Sequence, residues 1–166
     1  MKKLLQYLTL IVFLLSLAGC NSLHNPSPRV DASVTISKLT QEEFARVGVY
    51  GLKNPSIDDF RKLDVKVKLI NTKGVSNKIL EVPTNLEYKE ALDKDIKRYW
   101  FGKSSYQNNP GEDFPLAEDS LVFYSRGLSQ ENIKDMLAPL KVTVGWVTKN
   151  GVKDEKKYTV VELLKF

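Results

Sequence analysis

The sequence predicts a mainly β protein, an antiparallel β-sandwich with one or two short helices, spanning residues 33–166. Three observations lead to this expectation. Asp64-Val65-Lys66-Val67-Lys68-Leu69 alternates without a break, with Val65, Val67 and Leu69 on one face and the lysines on the other. That is the pattern of a strand in an antiparallel sheet with one wet face. Leu140, Val142, Val144 and Trp146 repeat the period, and Asn150-Gly151 follows as a hairpin signal. Turn-forming clusters separate such runs at short intervals, while helix-period spacing is sustained only near residues 84–96 and 129–140.

In chain order, Val34 and Ile36 mark a first strand at about 33–39. Thr40-Gln41-Glu42-Glu43 has capping-box spacing ahead of Phe44 and predicts a single helical turn. Residues 46–52 read as a short strand, and 56–62, after Asn54-Pro55, as another helical turn. The strand at 64–69 runs into the turn Asn71-Thr72-Lys73-Gly74, and a further strand at 79–82 stops at Pro83. Thr84 and Glu87 repeat the capping-box spacing, with Tyr88, Ala91, Leu92 and Ile96 on one helical face. An extended segment using Leu86 and Tyr88 competes with that helix, which is the favoured reading. Residues 98–106 predict an aromatic strand with Trp100 and Tyr106 on one face and Tyr99 and Phe101 on the other.

Residues 107–120 contain Asn109-Pro110-Gly111, Pro115 and the carboxylates Glu112, Asp113, Glu118 and Asp119, so they read as the longest loop. Strand resumes at 121–124. Ser129 then caps a short helix that packs Ile133, Met136 and Leu137 inward and stops near Pro139. The final strands, joined at Asn150-Gly151, run to Phe166 in the order expected of a Greek-key sandwich. Parity sets their register. A two-residue turn would place Val144 beside Lys157 and Trp146 beside Glu155, whereas a loop of Lys149 to Gly151 pairs Val142 with Tyr158 and Leu140 with Val160. The three-residue loop is therefore expected, with Gly151 left-handed. The strand, asparagine-glycine turn and strand of residues 64–82 resemble the opening of immunoglobulin-like domains of bacterial surface proteins. That resemblance implies an immunoglobulin-like β-sandwich and carries no site.

The N-terminus is organised differently. Lys2 and Lys3 precede an apolar segment at residues 4–15, interrupted by Gln6 and Thr9 and shorter than a spanning helix needs. Leu17-Ala18-Gly19-Cys20 follows, and Cys20 is the only cysteine. These residues resemble the lipobox of bacterial lipoproteins. The resemblance implies a signal peptide at 1–19, diacylglycerol on Cys20, and anchorage at the outer face of a cell membrane. An ordinary cleaved signal peptide or an uncleaved signal anchor are the competing readings. Residues 20–32, with Pro26 and Pro28 and no apolar period, read as a lipidated flexible tether.

Composition narrows the chemistry. The net charge of +5 falls to +3 once Lys2 and Lys3 leave with residues 1–19, a mild basic balance spread over many lysines and carboxylates. His24, the only histidine, lies in the tether, and Cys20 is committed to lipid, which leaves no imidazole or thiolate for nucleophilic catalysis or a zinc site. No cofactor and no metal are expected. Lys94, Lys97, Arg98 and Lys103 around Tyr99, Trp100 and Phe101 imitate a nucleic-acid stripe, but Asp93 and Asp95 dilute it and an anchored exported protein has little access to nucleic acid.

The expectation is a monomeric, non-catalytic binding or accessory module whose ligand is a protein, a peptide or an anionic wall polymer. One alternative is an immunity lipoprotein against a membrane-active peptide, and a weaker one is a hydrolase using the carboxylates of 107–120. The recognition surface is placed on that loop, with Tyr106 and Phe114 as interface aromatics.

Overall fold

The computed structural model describes residues 27–109 and 114–166. Eight strands form among them: β1 (Arg29–Ser37), β2 (Phe60–Ile70), β3 (Val75–Glu81), β4 (Tyr99–Gln107), β5 (Leu116–Tyr124), β6 (Lys141–Thr148), β7 (Lys153–Thr159) and β8 (Leu164–Lys165). One sheet has the order β4-β5-β2-β1-β8 and the other β3-β6-β7. Lettered in chain order, the first seven strands give the D-E-B-A and C-F-G sheets of a constant-type immunoglobulin sandwich. Every pair is antiparallel except β8, which runs parallel to β1 through Val34–Leu164 and Thr35–Lys165.

Three short helices interrupt the strands: α1 (Gln41–Phe44), α2 (Asn85–Leu92) and α3 (Gln130–Leu137). Each begins where the sequence placed a cap. Thr40, Thr84 and Ser129 accept from the backbone N–H three residues on, and Glu43, Glu87 and Asn132 return the bond to the cap N–H. The core between the sheets is one cluster. It takes Val34, Leu63, Val65, Val67 and Leu69 from β1 and β2, Leu121 and Phe123 from β5, and Val142, Val144 and Trp146 from β6. Tyr88, Ala91 and Leu92 of α2 and Ile133 and Leu137 of α3 close it, because these helices carry the chain from one sheet to the other. Each fully buried Leu, Val or Phe contributes about 1.5–3 kcal/mol.

A second, smaller core lies on the outer face of the larger sheet. Phe60, Val122 and Tyr124 project there, and residues of the β1–β2 connection, including Leu39, Phe44 and Val47, fold over them. This explains one correction. Residues 46–52, expected as a strand, form turns instead, because Val47, Val49 and Leu52 pack down on a sheet face and not along a sheet edge. The helical turn expected at 56–62 is a 3₁₀ turn at Ile57–Asp59, and Phe60 already begins β2.

Other boundaries move for similar reasons. β1 begins at Arg29, four residues before the expected start, since β2 is eleven residues long and offers partners from Lys62 to Ile70. Arg29–Ala32, assigned to the tether by the sequence, therefore belong to the sheet. β5 begins at Leu116 and pairs on both sides, so the connection read as 107–120 is 108–115. Ile96 lies past the end of α2 and is half exposed. The chain also does not run straight to Phe166. Thr159 and Glu162 make a capping-box pair around a 3₁₀ turn at Val161–Leu163, and the turn switches the chain to the other sheet. Thr-x-x-Glu was readable at that position.

In β4 the faces differ from the expectation. Tyr99 opposes Phe123 and Phe101 opposes Val122, which leaves Trp100 as an extra, bulged residue. The bulge reverses the alternation. Tyr99, Gly102, Ser104 and Tyr106 share the inner face, while Trp100 packs outward against Phe60 with ring centroids 5.6 Å apart.

The β6–β7 hairpin has the register that parity requires. Val142 lies opposite Tyr158, and Val160 N–H donates to the Leu140 carbonyl at 2.9 Å. Thr148 and Gly151 close the three-residue loop, with Gly151 at φ +80°. The apolar match holds only at the Tyr158 end. Val144 still faces Lys156, and Trp146 faces Asp154, because β7 is a charged edge strand with its first five residues exposed. Nothing lies within 4 Å of a Cβ built on Gly151, so the cost of a side chain there is backbone strain alone. Gly151→Val is expected to lower stability by about 1–3 kcal/mol, read as a shift of the urea midpoint at unchanged slope.

Candidate functional site

The alternation of β5 puts Ala117, Asp119, Leu121 and Phe123 on the inner face. Three are apolar and one is a carboxylate. Asp119 is 4% exposed, and it lies on the flank of the sandwich where β4 and the β3–α2 connection face each other. A crevice of about 280 Å³ opens there, lined by Val82, Pro83, Thr84, Asn85, Ser104, Tyr106 and Asp119, with Ser105 at its edge. Ser104 and Tyr106 are inner-face residues, yet both are exposed, Tyr106 at 56%. The sandwich is therefore not closed at this flank.

The polar groups around the carboxylate are neutral. The Tyr88 hydroxyl donates to Asp119 Oδ2 at 3.4 Å, and the Ser104 hydroxyl donates to the same carboxylate. Burial pushes the Asp119 carboxyl above the usual carboxylate range, and these two hydrogen bonds offset only part of the rise. The tyrosines respond in turn. Tyr88 is raised by its own burial and then by Asp119, and Tyr99 is raised by the same two causes. Gly102 lets Tyr99 and Asn85 approach β4 closely, since a Cβ there would stand 2.6 Å from Tyr99 Oη and 2.9 Å from Asn85 Oδ1.

Asp59 provides the contrast. It is 8% exposed, but Arg126 Nε donates to Oδ1 at 2.9 Å and the Ser56 N–H donates to Oδ2 at 2.7 Å. Burial raises its pKa, and Ser56 and Arg126 more than reverse that, leaving the group below the ordinary value. Asp59 is a carboxylate with its counter-charge supplied by the fold. Among the described residues no cation offsets the burial of Asp119 in this way.

The residues singled out by the sequence are dispersed. Cys20 lies outside the described residues. Tyr106 is on β4, reaching across the flank to donate to the Leu80 carbonyl at 3.1 Å. Phe114 lies on the outer side of the same sheet, under Lys68 Nζ at 3.7 Å from its ring centroid. The two aromatics therefore lie on opposite faces of the sheet. The group of four loop carboxylates also dissolves. Glu118 and Asp119 are consecutive strand residues on opposite faces, with Glu118 paired to Lys66 at 2.6 Å, while Glu112 and Asp113 lie outside the described residues. The signal for Asp119 is a carboxylate at an apolar-face position of Ala117-x-Asp119-x-Leu121-x-Phe123, obscured because local preference starts the strand only at Leu121.

No family model, no curated protein and no solved structure matches this chain.

Proposed function

We propose that the chain is a lipid-anchored, extracytoplasmic, non-catalytic binding module, tethered through diacylglycerol on Cys20. The observation that carries this reading is the placement of the Leu17-Ala18-Gly19-Cys20 lipobox only eight residues ahead of β1 in an immunoglobulin-like sandwich. Fully extended, residues 21–28 reach about 28 Å, so the domain stays close to the bilayer. The end at which β1 starts, with the turn at 71–74 and the Lys149–Gly151 turn, faces the membrane. The flank holding Asp119 then opens sideways, accessible to a ligand in the periplasmic or wall space. A buried carboxylate with no counter-ion among the described residues supports binding, since a ligand can provide that charge.

The anchor is tested first. Wild-type protein partitions into the detergent phase of a cloud-point separation, and Cys20→Ser moves to the aqueous phase, because two acyl chains are what make membrane attachment stable. Equal partitioning of both proteins overturns the reading.

A further inference from the structure

We infer that the free edge of β4 is a strand-addition site for an extended peptide, and that the peptide residue opposite Ser104 is a lysine or arginine whose side chain enters the Asp119 crevice. This inference rests on the reading of the chain as a binding module and names its partner class.

The edges of the two sheets are treated unequally. β7 presents Lys153, Asp154, Glu155, Lys156 and Lys157, a charged run that discourages pairing. β8 covers β1 at Val34 and Thr35, and Arg29 and Asp31 mark the rest of that edge. The outer edge of β3 is engaged by side chains, with Tyr106 Oη donating to the Leu80 carbonyl and Asn108 Nδ2 to the Lys78 carbonyl. β4 differs. It is nine residues long, pairs only with β5 among the described residues and carries one charge, Lys103. Phe101 and Tyr106 stand exposed along it at 44% and 56%. A long edge of this kind, with alternate N–H and C=O groups directed outward, is the template that β-augmentation uses.

The crevice supplies the specificity. A residue paired opposite Ser104 places its side chain on the same face as Ser104, which is the inner face that Ser104 shares with Asp119. That side chain enters between Tyr106 and the Thr84-Asn85 start of α2, past the apolar Val82 and Pro83. The groups along this path suit an aliphatic stem with a cationic head. The head meets a carboxylate that has hydroxyl partners and no counter-ion among the described residues. Charge complementarity therefore selects a basic peptide over a second copy of this chain, because an antiparallel β4–β4 pairing about a two-fold axis keeps the inner faces together and would bring Gly102, Ser104 or Tyr106 to that position, none of them basic.

The test uses the full lipidated chain in detergent micelles. The probe is a blocked nonapeptide of alternating threonine and valine with one central lysine, followed by fluorescence anisotropy. Two further peptides are N-methylated on odd or on even residues. Saturable binding is expected. Replacing the lysine by norleucine, or Asp119→Asn in the protein, weakens it at least tenfold, and one methylation pattern abolishes binding while the other leaves it intact. Binding indifferent to both methylation patterns overturns strand addition, and binding indifferent to the lysine overturns the role of Asp119. A concentration-dependent dimer that competes with the peptide assigns the edge to a second copy and also overturns the proposal. Absence of peptide binding overturns it while leaving the anchored-module reading standing, because detergent partitioning judges that reading separately.

Discussion

Phe60→Ala lowers the stability of the domain by about 3–5 kcal/mol, in the range for emptying a large buried aromatic site. Phe60 is fully buried and is the centre of the smaller core, with ring centroids 5.8 Å from Phe44, 5.6 Å from Trp100 and 5.4 Å from Tyr124. Its removal leaves a cavity at the centre of the contact between the β1–β2 connection and the outer face of the sheet, with the Lys62–Glu43 ion pair and the Trp100 Nε1–Gly48 carbonyl hydrogen bond left at its margin. Urea unfolding followed by tryptophan fluorescence measures the loss. Phe101→Ala, at an exposed site on the same sheet face, is the comparison, and surface substitutions of this kind stay within about 0.5 kcal/mol. A Phe60→Ala midpoint no lower than that of Phe101→Ala would refute the second core as a stabilising unit.

Asp119→Asn is expected to act in the opposite direction, and in a pH-dependent way. The Asp119 carboxyl titrates above the ordinary carboxylate value in the folded chain, so the folded state retains a proton that the unfolded state has already released. Between the two pKa values the native state binds more protons, and stability falls as the pH rises. Above the folded value the loss is complete and constant. Asparagine keeps the shape and the capacity to accept from Tyr88 and Ser104 but carries no charge to desolvate. Asp119→Asn is therefore more stable than wild type at pH 7, by about 1 kcal/mol, and the difference closes below about pH 4. Asp59→Asn behaves inversely. The folded pKa of Asp59 is depressed, so its contribution is present above the unfolded value and is lost as the pH falls. Parallel unfolding curves from pH 3 to pH 8 separate the two. A wild-type chain more stable than Asp119→Asn at pH 7 would show that the carboxylate is satisfied within the fold. A gain in stability at the expense of ligand binding is the usual relation for a functional site.

Local chemistry was legible wherever one rule acted alone. The caps at Thr40, Thr84 and Ser129 start helices as their spacing implies, because a capping box is satisfied by residues three apart and needs no distant partner. The β6–β7 register followed from parity and from the glycine, with Gly151 in the left-handed region. Errors arose where a second element intervened. Trp100 inverted the faces of β4 because a bulge adds one residue to one strand, and nothing within Tyr99-Trp100-Phe101 announces which of them the neighbouring strand will pass over. Local preference makes Leu116 to Ser120 a loop, because Pro115, Glu118 and Asp119 weigh against strand. Pairing with β2 on one side and β4 on the other outweighs that preference.

Taken by itself, the sequence determined the fold class, the capped helical segments at Thr40 and Ser129, the apolar faces of β2 and β6, and the terminal hairpin. Each depends on period, turn chemistry or caps carried within a few residues. Residues 84–96 stayed open between helix and extended chain. The partition of the strands into two sheets was decided by the tertiary structure, which sent β2 and β3 to different sheets across a four-residue turn and closed the chain by pairing β8 with β1. So was the crevice. Asp119 of β5, Ser104 of β4 and Tyr88 and Asn85 of α2 come from three separate segments, and only the packing of α2 against the open flank of β4 brings them together. Alternation states which residues of a strand share a face, but what that face meets depends on contacts between distant parts of the chain.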